Sequence, residues 1–293
     1  MKVIIECAVN GATPRSRNQN VPITPDEIAA DGLRCLAAGA AIVHQHDDVL
    51  SNPTHSVEQM AARGLQAYET ILASRPDAIL YPTTNFGDGP IHERWGHHEL
   101  LAAAGVIRMG LLDPGSLSLG APGADGIPTG NFVYAHSYNE IRVKAEGCRR
   151  LGLGPSIAIF EPGFLQVVLA YHRAGQLPPG AFVKFYFSAG RLLFGHRPSE
   201  AALDLYVDML AGTGLPWAVA VLGGDVVECG MARWALERGG HLRVGLEDFG
   251  GTRTPSNVDL IEAAVAAAHT AGRPVATCTE AAELLGLPER AIA

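Results

Sequence analysis

The chain has 293 residues and a formal net charge of −8, and it is 47% hydrophobic but only 18% charged. This balance is typical of a compact globular enzyme and excludes a disordered or coiled-coil chain. The negative charge argues against a nucleic-acid or anionic-membrane partner. No apolar run approaches the roughly 20 residues that a membrane-spanning helix needs.

Cysteine usage and the N-terminus indicate the compartment. The five cysteines are widely spaced and form no CxxC pair, which fits free thiols in a reducing environment. The first residues, MKVIIECAVNG, lack the apolar stretch of a signal peptide. We therefore expect a soluble, cytoplasmic protein.

Short β-branched segments alternate with Ala- and Leu-rich segments along the chain. The first helix is predicted to begin at Thr24-Pro25-Asp26-Glu27, which offers a cap, a proline in the first turn and early acids. The predicted strands are residues 3–8, 41–46, 78–82, 106–111, 156–160, 182–187, 217–222 and 242–246. The other predicted helices are residues 56–73, a shorter segment around Glu99, 137–151 (ended by Gly152), 163–174, 199–211, 226–238, 257–271 and a short one in the tail after Thr279.

Eight strand–helix units predict an α/β fold, a single (β/α)8 TIM barrel. We expect residues 1–293 to form one domain with a short C-terminal helical extension. The main alternative is a doubly wound open sheet, which normally carries a glycine-rich turn after its first strand. Residues 9–13, VNGAT, contain no such turn.

A His-x-His pair ends the second predicted strand and carries the strongest chemical signal. The alternation of side chains along a strand puts His44 and His46 on one face, close enough to share an ion. At the C-terminal mouth of a barrel that face points into the active site. A lone histidine is more often a core residue, but two at this spacing predict a metal site.

The last predicted strand supplies the third ligand. It closes on Glu247 and Asp248, and an apolar strand that ends in two carboxylates is costly unless they meet a cation. Strand eight neighbours strand one in a closed barrel, so Glu247 reaches the same ion, and His2Glu is a catalytic zinc pattern. The alternative is that these acids cap the next helix or pair with Arg243 or Arg253.

Other polar residues at the strand ends carry weaker signals, because turn chemistry explains each one singly. These residues are Asn10, Thr83, Thr84 and Glu161. His97 and His98 lie in a polar stretch, and we interpret them as a solvated helix face.

Several segments together resemble a known family. They are NGA at 10–12, VPITPDE at 21–27, AGAAIVHQHDD at 38–48, TTNFG at 83–87, WAVAVLG at 217–223, GGHLRVGLED at 239–248 and GRPVAT at 272–277. On these segments the chain resembles the β-keto acid cleavage enzymes, typified by the 3-keto-5-aminohexanoate cleavage enzyme. The resemblance covers nearly the whole chain and implies a zinc-dependent TIM barrel.

The resemblance also implies a reaction and a site. A β-keto acid and acetyl-CoA would give acetoacetate and a new acyl-CoA, with Zn2+ on His44, His46 and Glu247 binding the keto and carboxylate oxygens. Asp248 would be the general base, oriented by Arg243. Thr83 would position the substrate carboxylate, and the family pattern makes Glu161 a further site residue. Partners would be a small β-keto acid and a CoA thioester, in a homo-oligomer that is a tetramer in typical members. To Thr83 and Glu161 we add Asn10 and Thr84 as predicted substrate-binding residues.

The chain departs from the family pattern at three places. Thr13 stands where the loop after strand one typically has a glutamate, and Leu111 stands where strand four often has a threonine. Residues 188–194, SAGRLLF, replace a glycine-rich loop, which indicates a different substrate pocket or different CoA contacts.

Two other functions are kept open. One is another metal-dependent lyase or hydrolase on this barrel, although amidohydrolases place His-x-His on strand one rather than strand two. The other is a metal-binding barrel that binds a carboxylate metabolite without cleaving it, for which the Thr13 and Leu111 departures are the evidence.

Overall fold

The computed structural model describes residues 1–48, 54–86 and 89–289. The strands in chain order are β1 (Ile5–Ala8), β2 (Ile42–Gln45), β3 (Ile79–Pro82), β4 (Met109–Leu111), β5 (Leu117–Ser118), β6 (Val133–Tyr134), β7 (Gly154–Ile159), β8 (Phe182–Ser188), β9 (Trp217–Leu222) and β10 (His241–Val244). Eight of them form one sheet in the order β3-β2-β1-β10-β9-β8-β7-β4. All of its pairs are parallel.

The sheet curves until its two edges meet. The backbone N–H of Arg108, just before β4, donates to the carbonyl of Leu80 in β3 over 3.3 Å. Helices follow the strands around the outside, so the predicted (β/α)8 barrel is confirmed. The helices are α1 (Pro25–Ala38), α2 (Val57–Ser74), α3 (Ile91–Trp95), α4 (His97–Ala103), α5 (Tyr138–Leu151), α6 (Pro162–Arg173), α7 (Glu200–Leu210), α8 (Met231–Glu237), α9 (Asn257–Thr270) and α10 (Cys278–Leu285).

The local signals at two helix ends act as predicted. The Thr24 hydroxyl accepts the N–H of Glu27, and the Glu27 carboxylate accepts the N–H of Thr24, which together form a capping box at the start of α1. Gly152 follows α5 with φ +65°, a left-handed conformation that costs glycine little. Both predictions are confirmed.

Several elements differ from their predicted ranges, and two of these differences have a clear local cause. The helix expected over 226–238 begins only at Met231, because the Asp225 carboxylate accepts the N–H groups of Val227 and Glu228 and holds a turn there. The strand expected over 242–246 ends two residues early. Gly245 has φ +136°, and a Cβ at this position would lie 2.1 Å from the carbonyl oxygen of Ala8, so only glycine fits.

The segment between β4 and α5 contains a small two-stranded sheet that was not predicted from the sequence. β5 and β6 pair antiparallel in a small sheet of their own. Strands of two residues carry no measurable alternation, so periodicity alone does not reveal them.

The tail helix is confirmed as α10, which begins at Cys278 after the capping hydroxyl of Thr277. Residues 290–293 of the predicted tail and Gly87 of the 83–87 segment lie outside the described residues. Within the described ranges no helix is long and apolar enough to cross a membrane.

Candidate metal centre and active site

His44, His46 and Glu247 meet at the C-terminal rim of the barrel. We call these three residues the metal cluster because their donor atoms could hold a metal ion. Oε2 of Glu247 lies 3.4 Å from Nε2 of His44 and 3.3 Å from Nε2 of His46. The three candidate ligand atoms all lie within 4.8 Å of one another. Because β10, β1 and β2 are adjacent in the sheet, their ends bring together residues about 200 positions apart in the chain.

The imidazole of His44 is neutral and suitably oriented to bind a cation. Burial holds the pKa of His44 well below its usual value, so the ring keeps a lone pair for a cation. Nδ1 of His44 lies 3.2 Å from the carbonyl oxygen of Tyr81, and donation there leaves Nε2 as the free lone pair. Both rings therefore direct Nε2 at the Glu247 carboxylate.

The two carboxylate oxygens of Glu247 have different surroundings. Oε1 accepts from Nη2 of Arg243 over 2.7 Å, whereas Oε2, which faces the histidines, makes no hydrogen bond within the described part of the chain. A buried carboxylate oxygen without a hydrogen bond is costly unless a cation meets it. These three donors therefore fit a divalent metal of the kind that His2Glu sets hold.

The loop after β1 is shaped around Glu247. Gly11 has φ +54°, and a Cβ on it would lie 2.2 Å from Cγ of Glu247. The hydroxyl of Thr13 donates to the carbonyl of Leu246 over 2.7 Å. Thr13 thus fastens this loop to Leu246, the residue before Glu247.

Asn10 supports the same region through the backbone. Its amide nitrogen donates to the carbonyls of Pro22 and His46, and its oxygen accepts the N–H groups of Gly11 and His46. Both amide hydrogens are used, so none is left to donate to a substrate. The structure gives Asn10 the task of holding the chain at His46.

Arg243 binds Asp248 through two parallel hydrogen bonds. Nε donates to Oδ2 over 2.8 Å and Nη2 donates to Oδ1 over 3.2 Å, with both side chains buried. Burial raises the pKa of Asp248 to about 6 although Arg243 opposes the shift. The two hydrogen bonds show that the predicted contact between Arg243 and Asp248 is present.

A buried charged network that the sequence analysis missed lies inside the barrel beside Arg243. Oε1 of Glu6 accepts from Nη1 of Arg243 over 2.8 Å and from Nζ of Lys184 over 2.9 Å. The hydroxyl of Tyr81 donates to the same oxygen over 2.6 Å. Burial alone would raise the pKa of Glu6, but the two cations outweigh it and lower the pKa to about 2.

The signal for this network was present in the sequence. Glu6 and Lys184 are charged residues inside otherwise apolar strands, and such charges are costly unless they are paired. The same argument that pointed to Glu247 applies to them. A third carboxylate, that of Glu6, therefore contacts Arg243 in addition to Glu247 and Asp248.

A cavity of about 140 Å3 opens beside the metal cluster. His44, His46, Glu247, Arg243 and Thr83 all contribute to its wall, whereas Asp248 does not. Thr84 is buried next to this wall.

The same cavity wall includes Leu111 and the carboxylate residue Asp113. Both come from the end of β4 and the turn after it. Tyr134 of β6 and nearby Leu119 also line the cavity, so the missed hairpin borders the candidate site.

Glu161 lies outside this cavity. It lines a neighbouring surface pocket with Ser116 and His136, and its Oε1 accepts the N–H of Gly195 over 2.8 Å. The structure therefore does not bring Glu161 together with the metal cluster. In the replaced loop at 188–194, Phe194 is buried against Phe160, with ring centroids 5.3 Å apart.

The interpretation of His97 and His98 as a solvated helix face is wrong, because both side chains are buried. Nε2 of His97 lies 2.7 Å from the carbonyl oxygen of Thr83, to which it donates. His98 stacks on Trp95 and accepts the N–H of Leu111 over 3.3 Å. The two histidines pack α4 against the ends of β3 and β4. The polar residues next to them in sequence gave no sign of this burial.

Comparisons with known proteins give a family match over nearly the whole chain. The family model described as beta-keto acid cleavage enzyme matches residues 2–287. The chain is 30% identical to the 3-keto-5-aminohexanoate cleavage enzyme of Fusobacterium nucleatum, over 98% of each protein. It is 31% identical to the 3-oxoadipate:acetyl-CoA acetyltransferase of Cupriavidus necator, over 99% of this chain and 96% of that protein.

Solved structures share the fold at low sequence identity. The apo structure of ObcA has a TM-score of 0.68 at 14% identity, covering 92% of this chain and 66% of that one, so our chain spans just under two thirds of ObcA. Dihydropteroate synthase of Yersinia pestis has a TM-score of 0.55 at 12% identity, covering 92% and 94%. These likenesses support the barrel fold.

Proposed function

The chain belongs to the β-keto acid cleavage enzyme family, and on that premise we propose that it exchanges acyl groups between a β-keto acid and acetyl-CoA. A relative that is 31% identical over nearly the whole chain is named as an acetyl-CoA acetyltransferase acting on 3-oxoadipate. This name supports acetyl-CoA as the second substrate. The products would be acetoacetate and the acyl-CoA of the remaining chain.

The observation that carries the proposal is the Glu247 oxygen without a hydrogen bond among the described residues, which faces the imidazoles of His44 and His46 at the wall of a cavity. We propose that His44, His46 and Glu247 hold zinc, since imidazole and carboxylate ligands suit this ion. When bound, zinc supplies Lewis-acid polarisation of a carbonyl oxygen.

The reaction balances without a further reactant. A proton leaves C2 of the β-keto acid, and the C2 carbanion attacks the thioester carbon of acetyl-CoA and releases the CoA thiolate. The thiolate adds to C3, the original keto carbon, and the C2–C3 bond breaks. C2 keeps the electron pair and regains the proton, which gives acetoacetate and the new acyl-CoA.

We propose that Asp248 carries this proton and that Arg243 positions it. The bidentate contact with Arg243 fixes the carboxylate, and Arg243 itself lines the cavity. Thr83, also on the cavity wall, is proposed to contact the substrate. Glu6 acts through Arg243 and is a positioning residue.

A coupled assay tests the proposal. The purified protein is incubated with zinc, acetyl-CoA and a panel of 3-oxo acids, and acetoacetate and acyl-CoA are measured together. We expect both products in equal amounts, and we expect His46→Ala to abolish them. Bound metal without turnover of any acid would overturn the cleavage proposal and favour a barrel that only binds a carboxylate metabolite.

A further inference from the structure

Much of the cavity wall is apolar. Leu111, Leu119 and Leu222 approach it from the barrel rim, and Phe86 and Phe160 add aromatic surface. The metal cluster and Arg243 lie on the same cavity. With zinc held by His44, His46 and Glu247, the carboxylate head of a substrate would meet a cation, and its tail would meet the apolar part of the wall.

The charged groups that the structure describes on this cavity already have partners. Arg243 donates to Glu6, Glu247 and Asp248, which leaves no guanidinium edge for a second carboxylate.

Asp113, on the other side of the cavity, is similarly engaged. Its Oδ1 accepts the N–H of Ala158 over 3.2 Å, and its Oδ2 accepts from the hydroxyl of Tyr134. The buried Nζ of Lys144 lies beside it, on the carbonyl of the same residue at 3.3 Å. Both carboxylate oxygens of Asp113 therefore already accept a hydrogen bond, and the buried ammonium of Lys144 beside this residue offsets its negative charge.

We propose that the β-keto acid cleaved by this protein has a short, uncharged, apolar tail. This inference rests on the proposed function and names the substrate class for it. A charged tail would lose its hydration against leucine and phenylalanine without gaining an ion pair. The volume of about 140 Å3 is below the ~300–1,000 Å3 of drug-sized ligand sites, so the tail is short.

Names of relatives at 30–31% identity give the contrast. 3-Oxoadipate ends in a second carboxylate, and 3-keto-5-aminohexanoate carries an amine. A pocket for either one needs a complementary charge, and Arg243 and Asp113, the described cavity residues that could supply it, are already engaged by other groups of the protein.

Three acids with six carbons each test the inference. The enzyme loaded with zinc is assayed with acetyl-CoA and 3-oxohexanoate, 3-oxoadipate or 3-keto-5-aminohexanoate, and kcat/KM is compared. We expect 3-oxohexanoate to exceed both charged acids by about 100-fold, the scale for burying an unpaired polar group. A charged acid that equals or exceeds it overturns the inference and leaves the proposed function standing, whereas turnover of none overturns both.

Two variants of Leu222 test whether a charge on the cavity wall changes the substrate preference in the expected direction. Leu222→Arg places a cation on the apolar wall, and we expect it to raise the preference for 3-oxoadipate over 3-oxohexanoate by about tenfold or more. Leu222→Met is the matched control, which keeps the wall neutral and should keep the original preference. An unchanged ratio in a folded Leu222→Arg protein, judged by its melting temperature, would contradict the inference.

Discussion

Arg243 and Glu6 face each other across the β1–β10 pair, and Nη1 of Arg243 donates to Oε1 of Glu6 over 2.8 Å. Both side chains are buried inside the barrel. Arg243 also holds Glu247, a proposed metal ligand, and Asp248, the proposed base. One guanidinium thus joins the charged interior of the barrel to the candidate site, and Glu6 anchors its inner end.

We predict that Glu6→Gln lowers the free energy of unfolding at pH 7 by about 3 kcal/mol, because it leaves Arg243 and Lys184 without their shared carboxylate. The folded-state pKa of Glu6, about 2, lies below the ordinary 4.5. Its contribution is therefore present above pH 4.5 and is lost as the pH falls toward 2.

Urea unfolding of the wild type and Glu6→Gln from pH 7 down to pH 3.5 measures this loss. The difference between the two proteins should be constant near neutrality and shrink below pH 4.5. Glu262→Gln, on the exposed face of α9, is the control and should be neutral throughout. If the wild type and Glu6→Gln differ equally in their free energies of unfolding at pH 7 and pH 3.5, the charge of Glu6 does not stabilise the fold.

The helix caps were predictable from short-range patterns, and the meeting of His44, His46 and Glu247 was predictable because a closed barrel fixes which strand ends are neighbours. His-x-His needs only the alternation of side chains along one strand, and Glu247 joins it because strand eight must border strand one in a closed barrel. Glu6 and Lys184 were missed because charges were weighed only at strand ends. Their pairing depends on which side chains face each other inside the barrel.

Two carboxylates compete for the role of base, and a matched pair of variants separates them. Asp248 is held by Arg243 but is absent from the cavity wall, whereas Asp113 lines the wall but is bound to Tyr134 and Ala158. We predict that Asp248→Asn lowers kcat by about 10²- to 10⁴-fold, the usual range for general-base catalysis, and retains metal.

Asp113→Asn should lower kcat by less than about tenfold, since its contacts are structural. Single-turnover rates and metal content of both variants, measured at saturating substrate, provide the readout. A larger loss in Asp113→Asn would move the proton transfer to that residue and remove it from Asp248.

Metal content tests the ligand set independently of turnover. We predict about one divalent metal per chain in the purified protein and a strong reduction in His46→Ala, because two remaining ligands hold the ion poorly. His92→Ala is the matched control, since His92 is exposed and lies outside the cluster. Elemental analysis after dialysis gives the ratio, and equal metal in His46→Ala and the wild type would refute the assignment.

The burial of His97 and His98 could not be predicted from the residues next to them in sequence. Glu93, Arg94 and Glu99 surround His97 and His98 in sequence, so the segment looks solvated. α3 and α4 are too short to display a periodic apolar face, and Trp95 turns inward between them. Only the packing against β3 and β4 reveals that the imidazoles are buried.

Burial of His97 makes stability depend on acidity. Its pKa is lowered from 6.5 to about 4, chiefly by burial. Below pH 6.5 the unfolded chain binds a proton at this position while the folded chain does not until about pH 4, so the free energy of unfolding falls over this interval. Between pH 7 and pH 5 the loss from this residue is about 2 kcal/mol.

His97→Gln removes this titration, and its amide still offers a donor to the carbonyl of Thr83. We therefore predict that the variant loses about 2 kcal/mol less stability than the wild type when the pH is lowered from 7 to 5. Urea unfolding with chelator present keeps the metal ligands out of the comparison, and the other buried histidines cancel because both proteins contain them. Parallel loss of stability in the two proteins would mean that His97 is protonated in the folded state, and the buried donor to Thr83 would then be an imidazolium.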